Sequence, residues 1–137
     1  MKEMYKGRGY VYSLQYHLVW CVKYRRDILT KAIDDDFKLI IQDIADQYNI
    51  KIVELKTDRN YVHLHIECKP QHYIPDNVKI FKGVSAKTLF EKHPEIRGEL
   101  ADKHLWNPSY FVVTDSNEVE TQIKEYITYQ NKKIKFS

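Results

Sequence analysis

Residues 11–22 alternate without interruption: Tyr12, Leu14, Tyr16, Leu18, Trp20 and Val22 fall on one face, and Ser13, Gln15 and His17 on the other. A period of two sustained that long reads as a single long β-strand with one buried face. Lys23-Tyr24-Arg25-Arg26-Asp27 ends the alternation, and the period then changes. From Asp34 to Tyr48, Phe37, Ile40, Ile41, Ile44 and Tyr48 recur at three-four spacing behind the acidic turn Asp34-Asp35-Asp36, which predicts a helix whose first turn complements its dipole. Ile50–Thr57 reads as a second strand, Asp58-Arg59-Asn60 as a short turn, and Tyr61–Cys68 as a third strand folding back on the second.

Pro75 opens a second helical stretch carrying Val78, Phe81, Leu89 and Phe90, closed near His93-Pro94 because proline cannot continue a helix. Glu95–Lys103 has no clear period, Tyr110–Thr114 is a short aromatic and β-branched strand, and Asn117 with Glu120 forms a capping-box pattern for a last helix through about Lys132. The first six elements give an α+β, ferredoxin-like β-α-β-β-α-β order, in which strands one and three lie at the centre of an antiparallel sheet covered by helices on one face. The C-terminal helix is additional, and outward-pointing residues of strand three then face either a ligand or that helix.

With 137 residues, no repeat and only four glycines and four prolines, the chain is expected to form one domain, residues 1–137. A net charge of +3 permits a polyanionic partner without requiring one. The two cysteines, Cys21 and Cys68, have neither zinc-knuckle nor disulfide-framework spacing and suit a reducing, cytoplasmic setting. The uncharged stretch Tyr10–Val22 is too short to span a bilayer, and no secretory core precedes it, so no membrane role is expected.

Strand three carries the first chemistry. Its period puts Val62, Leu64, Ile66 and Cys68 on one face and His63, His65 and Glu67 on the other. Imidazoles two residues apart are roughly 6 to 7 Å apart at the backbone, within reach of one cation. The same pair could simply line a solvated face, so the motif gains weight only with a third ligand and a reactive group. The last helix offers both: Tyr126 and Gln130 are one turn apart on a stripe with Val119 and Ile123. A phenol with an ordinary pKa of about 10 needs help to act as a nucleophile, and a cation polarising a phosphate supplies it. Packing remains the competing role for one of 11 tyrosines, and Tyr129, with Lys133 four residues later, points off the stripe. Lys23, Arg25 and Arg26 after strand one and Lys79, Lys82 and Lys87 on the second helix are candidate phosphate contacts, as charged side chains that could equally be solvated.

Four ordered segments then resemble the single-tyrosine, His-hydrophobic-His transposases of the 200/605 insertion sequences. They are Tyr16-His17-Leu18-Val19-Trp20-Cys21-Val22-Lys23-Tyr24-Arg25-Arg26, Thr57-Asp58-Arg59-Asn60-Tyr61-Val62-His63-Leu64-His65, Leu105-Trp106-Asn107-Pro108-Ser109-Tyr110-Phe111 and Tyr126-Ile127-Thr128-Tyr129-Gln130. The resemblance implies that His63, His65 and Gln130 bind a divalent metal, Mg2+ or Mn2+, and that Tyr126 attacks DNA to leave a 5′-phosphotyrosine and a free 3′-hydroxyl. It also implies a homodimer with composite active sites, single-stranded DNA hairpins as substrate, bases stacking on rings such as Tyr24, and no nucleotide cofactor. The chain carries no Gly-rich phosphate loop, in keeping with the last point. It departs from the family before the last helix, where Thr114-Asp115-Ser116-Asn117 stands in place of glycines and Asn117 is the residue able to take a left-handed hinge conformation. Competing functions are a non-catalytic single-strand-binding module, which would carry stacking aromatics where strand three carries His63, His65 and Glu67, a nicking enzyme, ordinarily a larger chain, and an inactive copy.

Overall fold

The computed structural model describes residues 5–7, 10–12, 14–100 and 104–136, with side chains over 14–100 and 104–130. Four antiparallel strands make the main sheet: β3 (Leu14–Cys21), β4 (Lys51–Asp58), β5 (Tyr61–Cys68) and β6 (Phe111–Thr114), in the order β4-β5-β3-β6. A separate ribbon pairs β1 (Tyr5–Gly7) with β2 (Tyr10–Tyr12). The helices are α1 (Lys31–Gln47), α2 (Ile74–Lys92), the short α3 (Glu95–Glu99) and α4 (Val119–Phe136). With β3 and β5 central, this is the expected ferredoxin-like α+β arrangement plus a last helix.

Three boundaries differ from the sequence reading. The alternating run 11–22 is divided between β2 and β3, which belong to different sheets, and Ser13 between them lies outside the described residues. α1 starts at Lys31, one turn before the acidic residues, so only Asp34 sits in its first turn, where its carboxylate accepts a hydrogen bond from Thr57 Oγ1 at 2.7 Å. α4 starts at Val119 rather than just after Asn117; the hydroxyl serving this turn is that of Ser116, which accepts from the Glu118 amide at 3.3 Å. Asn117 does not use the left-handed region; among the described residues the non-glycine ones with positive φ are Tyr24, Arg25, Lys31 and Asn49. The segment 95–103, without a clear period in the sequence, begins with α3, while 101–103 are outside the described residues.

The two faces of the sheet are covered differently. Leu18, Trp20, Val22, Val62, Leu64, Ile66 and Cys68 pack under Phe37, Ile40, Ile41 and Ile44 of α1 and Val78, Phe81, Leu89 and Phe90 of α2. Each fully buried aliphatic or aromatic side chain of this layer stabilises the fold by about 1.5 to 3 kcal/mol. Trp106 closes the layer edge-on to Trp20, with ring centroids 5.9 Å apart, and donates its indole N–H to Ser85 Oγ at 3.1 Å. On the opposite face a much smaller patch, Val19 with Val119 and Ile123 flanked by Phe111, Val113, Tyr126 and Ile127, seats α4.

Candidate metal centre and tyrosine helix

Strand register decides which polar groups meet. His17 of β3 lies opposite His65 of β5, Val19 opposite His63, and Gln15 opposite Glu67. Period two therefore gathers Gln15, His17, His63, His65 and Glu67 on the face away from α1 and α2. The Asp115 amide donates to the Gln15 carbonyl at 3.1 Å, which continues the β3–β6 pairing one residue past Thr114 and brings the Asp115 carboxylate to the same place.

His17 is the hub. It is 6% exposed; its Nε2 lies 2.9 Å from Asp115 Oδ1, and its Nδ1 lies 2.8 Å from His63 Nε2. Its ring stacks on that of His65 with centroids 3.9 Å apart. His65 Nε2 lies 2.9 Å from Gln15 Oε1, and Gln15 Nε2 donates to the buried Glu67 carboxylate at 3.4 Å. Burial, reinforced by the neighbouring His17 and Lys56, pushes His63 down to about 4, so its ring is neutral at neutral pH. Neutral imidazole is the form that ligates metal. One donor atom each from His17, His65 and Asp115 all lie within 4.8 Å of one another. Two imidazole nitrogens and a carboxylate oxygen so close together fit a first-row divalent ion, and the donor chemistry is thus compatible with a metal.

The tyrosine helix has its own network. Tyr126 Oη lies 3.0 Å from Ser109 Oγ, and Gln130 Nε2 donates to the same oxygen at 3.2 Å. Ser109 spends its own O–H and N–H on Asn107 Oδ1, both at 3.0 Å, so the phenol is left as the donor in its bond. Tyr126 stacks on Phe111, with centroids 5.4 Å apart. Burial raises its pKa, against the nearby Arg25 charge, which pulls it down. Gln130 is 1% exposed, and its Oε1 has no hydrogen-bond partner among the described residues. Below this network Lys82 donates to the Asn107 and Ser109 carbonyls at 2.7 and 3.2 Å, and burial pushes its ammonium down to about 8.

The candidate residues of the sequence reading thus fall into two groups. His63 and His65 join one network through His17; Tyr126 and Gln130 join another through Ser109. The networks share one sheet face, and His63 and Ile123 of α4 line a common cavity of about 460 Å³ together with Lys56, Thr57, Asp58 and Tyr61. Tyr129 is exposed and lines a shallow cavity with Phe111, Gln122, Glu125 and Tyr126. Of the basic candidates, Arg26, Lys79 and Lys87 are exposed, and Tyr24 is 51% exposed with φ 58°. Lys23 sits 5.4 Å over the Tyr24 ring. Arg25 is turned inward, donating to Asn60 Oδ1 at 3.1 Å and to the Ile127 carbonyl of α4 at 3.4 Å. Lys82, expected to reach phosphate, instead holds the 107–109 loop, because its ammonium lies under that loop's carbonyls.

Sequence reasoning missed His17, Gln15, Asp115 and Ser109 as site residues. For His17 and Gln15 a signal existed: they were on the polar face of strand one, and the ferredoxin-like order places that strand beside strand three. Asp115 lies in a connection without periodicity, and nothing in the sequence paired it with a histidine 98 residues earlier.

Comparisons with known proteins agree on one family. The model of the family described as "Transposase IS200 like" matches residues 10–130. The chain is 44% identical over 131 residues to the ISDra2 transposase TnpA of Deinococcus radiodurans, covering 96% of this chain and 94% of that one. It is 23% identical over 119 residues to the transposase for insertion sequence element IS200 of Salmonella typhimurium, covering 87% and 78%. A crystal structure of a candidate transposase from Deinococcus radiodurans superposes with a TM-score of 0.88 at 46% identity, covering 93% of this chain and 98% of that one. A REP-associated tyrosine transposase bound to a REP hairpin shares the fold, with a TM-score of 0.57 at 11% identity over 90% of this chain and 68% of that one. On the extent of the family match and the identity to a transposase over nearly its whole length, this chain belongs to the IS200-like transposases.

Proposed function

We propose that the protein cuts and rejoins single-stranded DNA at hairpin-bearing element ends, with Tyr126 as the nucleophile and a divalent cation held at the histidine cluster. The observation that carries this reading is the shared sheet face: three imidazoles and a carboxylate converge beside a helix that presents a half-buried tyrosine. His63 and His65 are the cation ligands from β5, and Gln130, whose buried carbonyl oxygen has no hydrogen-bond partner among the described residues, is the ligand α4 contributes when DNA is bound. When present, the cation polarises the scissile phosphate and offsets the charge that develops on it.

Tyr126 Oη attacks phosphorus as its proton leaves, the P–O3′ bond breaks, and a 5′-phosphotyrosine and a 3′-hydroxyl result. The reverse attack by a 3′-hydroxyl rejoins the strand, and because one phosphodiester replaces another, no nucleotide cofactor is needed. Burial disfavours the phenolate, and the Arg25 charge acts on the side of ionisation. The exposed Tyr24 offers a face for an unpaired base, and Arg26, Lys79 and Lys87 offer charge to phosphates. Excision needs two cuts held together, so the working form is a homodimer that brings two tyrosines. The setting is the cytoplasm; no helix among the described residues is long and apolar enough to cross a membrane.

The test uses labelled single-stranded hairpin oligonucleotides with Mn2+ or Mg2+ on a denaturing gel. The reading predicts a protein–DNA adduct that disappears in Tyr126→Phe and with EDTA. DNA binding without any adduct, on hairpins that include the native element's own ends, would favour a non-catalytic binding module.

A further inference from the structure

We propose that Lys82 is a positioning residue for the nucleophile: from α2 it braces a two-residue bulge ahead of β6, and that bulge turns Ser109 towards the Tyr126 phenol. The inference rests on the reading of Tyr126 as the nucleophile, and it adds a residue that acts on the phenol through the loop.

The bulge follows from the pairing along β3. Val22 bridges Trp106, and Val19 lies opposite Phe111. The chain takes five steps from Trp106 to Phe111 where β3 takes three from Val22 to Val19, so two extra residues leave the ladder. A bulge re-aims the side chains it carries. Here it brings Ser109 Oγ to 3.0 Å from Tyr126 Oη and 3.2 Å from Gln130 Nε2.

Irregular backbone keeps one shape where its surroundings hold it. The start of the stretch is anchored to the sheet and the core: the Asn107 amide donates to the Cys21 carbonyl at 2.8 Å, and the Trp106 indole donates to Ser85 Oγ at 3.1 Å. Past that point the brace is Lys82, one turn before Ser85 on α2. Its ammonium donates to the Asn107 and Ser109 carbonyls at 2.7 and 3.2 Å and lies 5.8 Å from the centre of the Tyr110 ring. One cation thus ties the backbone on both sides of Pro108. Asn107 Oδ1 then receives the N–H and the O–H of Ser109, both at 3.0 Å, which fixes the rotation of that hydroxyl and leaves its lone pairs to Tyr126 and Gln130.

Lys82 differs in this from its neighbours on the helix. Lys79 and Lys87 are exposed, whereas Lys82 is turned inward and burial pushes its pKa down to about 8. Taking an ammonium out of water is costly, and the loop carbonyls offset that cost. A charge committed to two carbonyls is poorly placed to meet a phosphate.

Single-turnover adduct formation at saturating hairpin DNA, measured beside equilibrium binding of the same hairpin, tests the proposal. Lys82→Met should slow the saturated rate about tenfold, with the hairpin Kd within about twofold of the parent's because no phosphate contact is lost. Since Ser109 carries the effect, the double variant Lys82→Met with Ser109→Ala should be about as slow as the slower single variant. Weaker hairpin binding at an unchanged saturated rate would make Lys82 a phosphate contact and overturn the proposal, and so would losses that multiply in the double variant. Hydrogen exchange of the DNA-free protein gives a readout independent of cleavage. Lys82→Met should speed exchange in peptides covering 107–111 and 123–130 and leave α1 at the parent's rate. Faster exchange confined to 107–111, or spread equally to α1, also overturns the proposal. If the parent itself forms no adduct, the cleavage reading fails, and the exchange pattern alone decides whether Lys82 acts on the tyrosine helix.

Discussion

At the scale of single residues the molecule places charge and polarity where apolar packing stops. Ser109 takes hydrogen bonds from both Tyr126 and Gln130. Ser109→Ala strips two partly buried donors of their acceptor, at a cost of about 1 kcal/mol of stability. It also removes the bond that fixes the Tyr126 hydroxyl in place, so adduct formation should slow by about three- to tenfold, which a quenched time course on hairpin DNA measures. Lys82 gives a pH signature. Its folded-state pKa is lowered from 10.5 to about 8, so between those values the unfolded chain holds a proton that the native chain has lost. Stability contributed by this group therefore rises as pH increases from about 8 towards 10.5 and is level below 8. Cys21 and Cys68, whose thiols burial pushes up, slope the other way over the same range, so the check is a difference: in thermal melts from about pH 7.5 to 9.5 the parent should gain on Lys82→Met as pH rises. Legibility also varied by residue. Period and spacing put His63, His65 and Tyr126 on defined faces, and the family resemblance is what singled them out for a role. His17 was placed on the correct face but given no role, since its partners are supplied by strand register, and register is a property of pairing rather than of one strand's sequence.

Elements were read well wherever a strong period met a clear breaker. β5 has the expected bounds, Tyr61–Cys68, because a turn precedes it and Lys69-Pro70 follows it. α2 agrees to one residue at each end with the Pro75 and Pro94 signals. The alternation of 11–22 misled because period two reports side-chain direction and not whether a strand continues in the same sheet. α4 differs energetically from α1 and α2. Among the described residues its buried apolar footing is Val119 and Ile123 on Val19, whereas α1 and α2 share the main core. An element seated on so small a patch opens at lower free energy than the core. Amide exchange in α4 should therefore be faster than in α1. Ile123→Ala, which removes about 2 to 3 kcal/mol of buried contact, should raise α4 exchange further and leave α1 unchanged, as read by hydrogen–deuterium exchange mass spectrometry. A helix that detaches at low cost is what a tyrosine and a ligand need if they are to meet DNA and metal from a different position, and it relieves the connection 114–118 of needing glycine.

For the molecule as a whole, one sheet has two unlike faces: one packs under α1 and α2 to make the core, and the other carries the candidate site. If the composite-site dimer holds, one chain's α4 serves its partner's histidine cluster. A Tyr126→Phe protein mixed with His65→Ala then recovers activity, because half the dimers are mixed and each mixed dimer has one intact site, giving about a quarter of the parent's adduct yield. Sites built within single chains recover none. The central claim is that Tyr126 itself becomes joined to DNA, and the most direct measurement is mass-spectrometric mapping of the adduct after protease and nuclease digestion. A phosphonucleotide mass on the peptide containing Tyr126, at that residue, is the predicted result. The same mass on Tyr129 or on any other residue would contradict the assignment of the nucleophile.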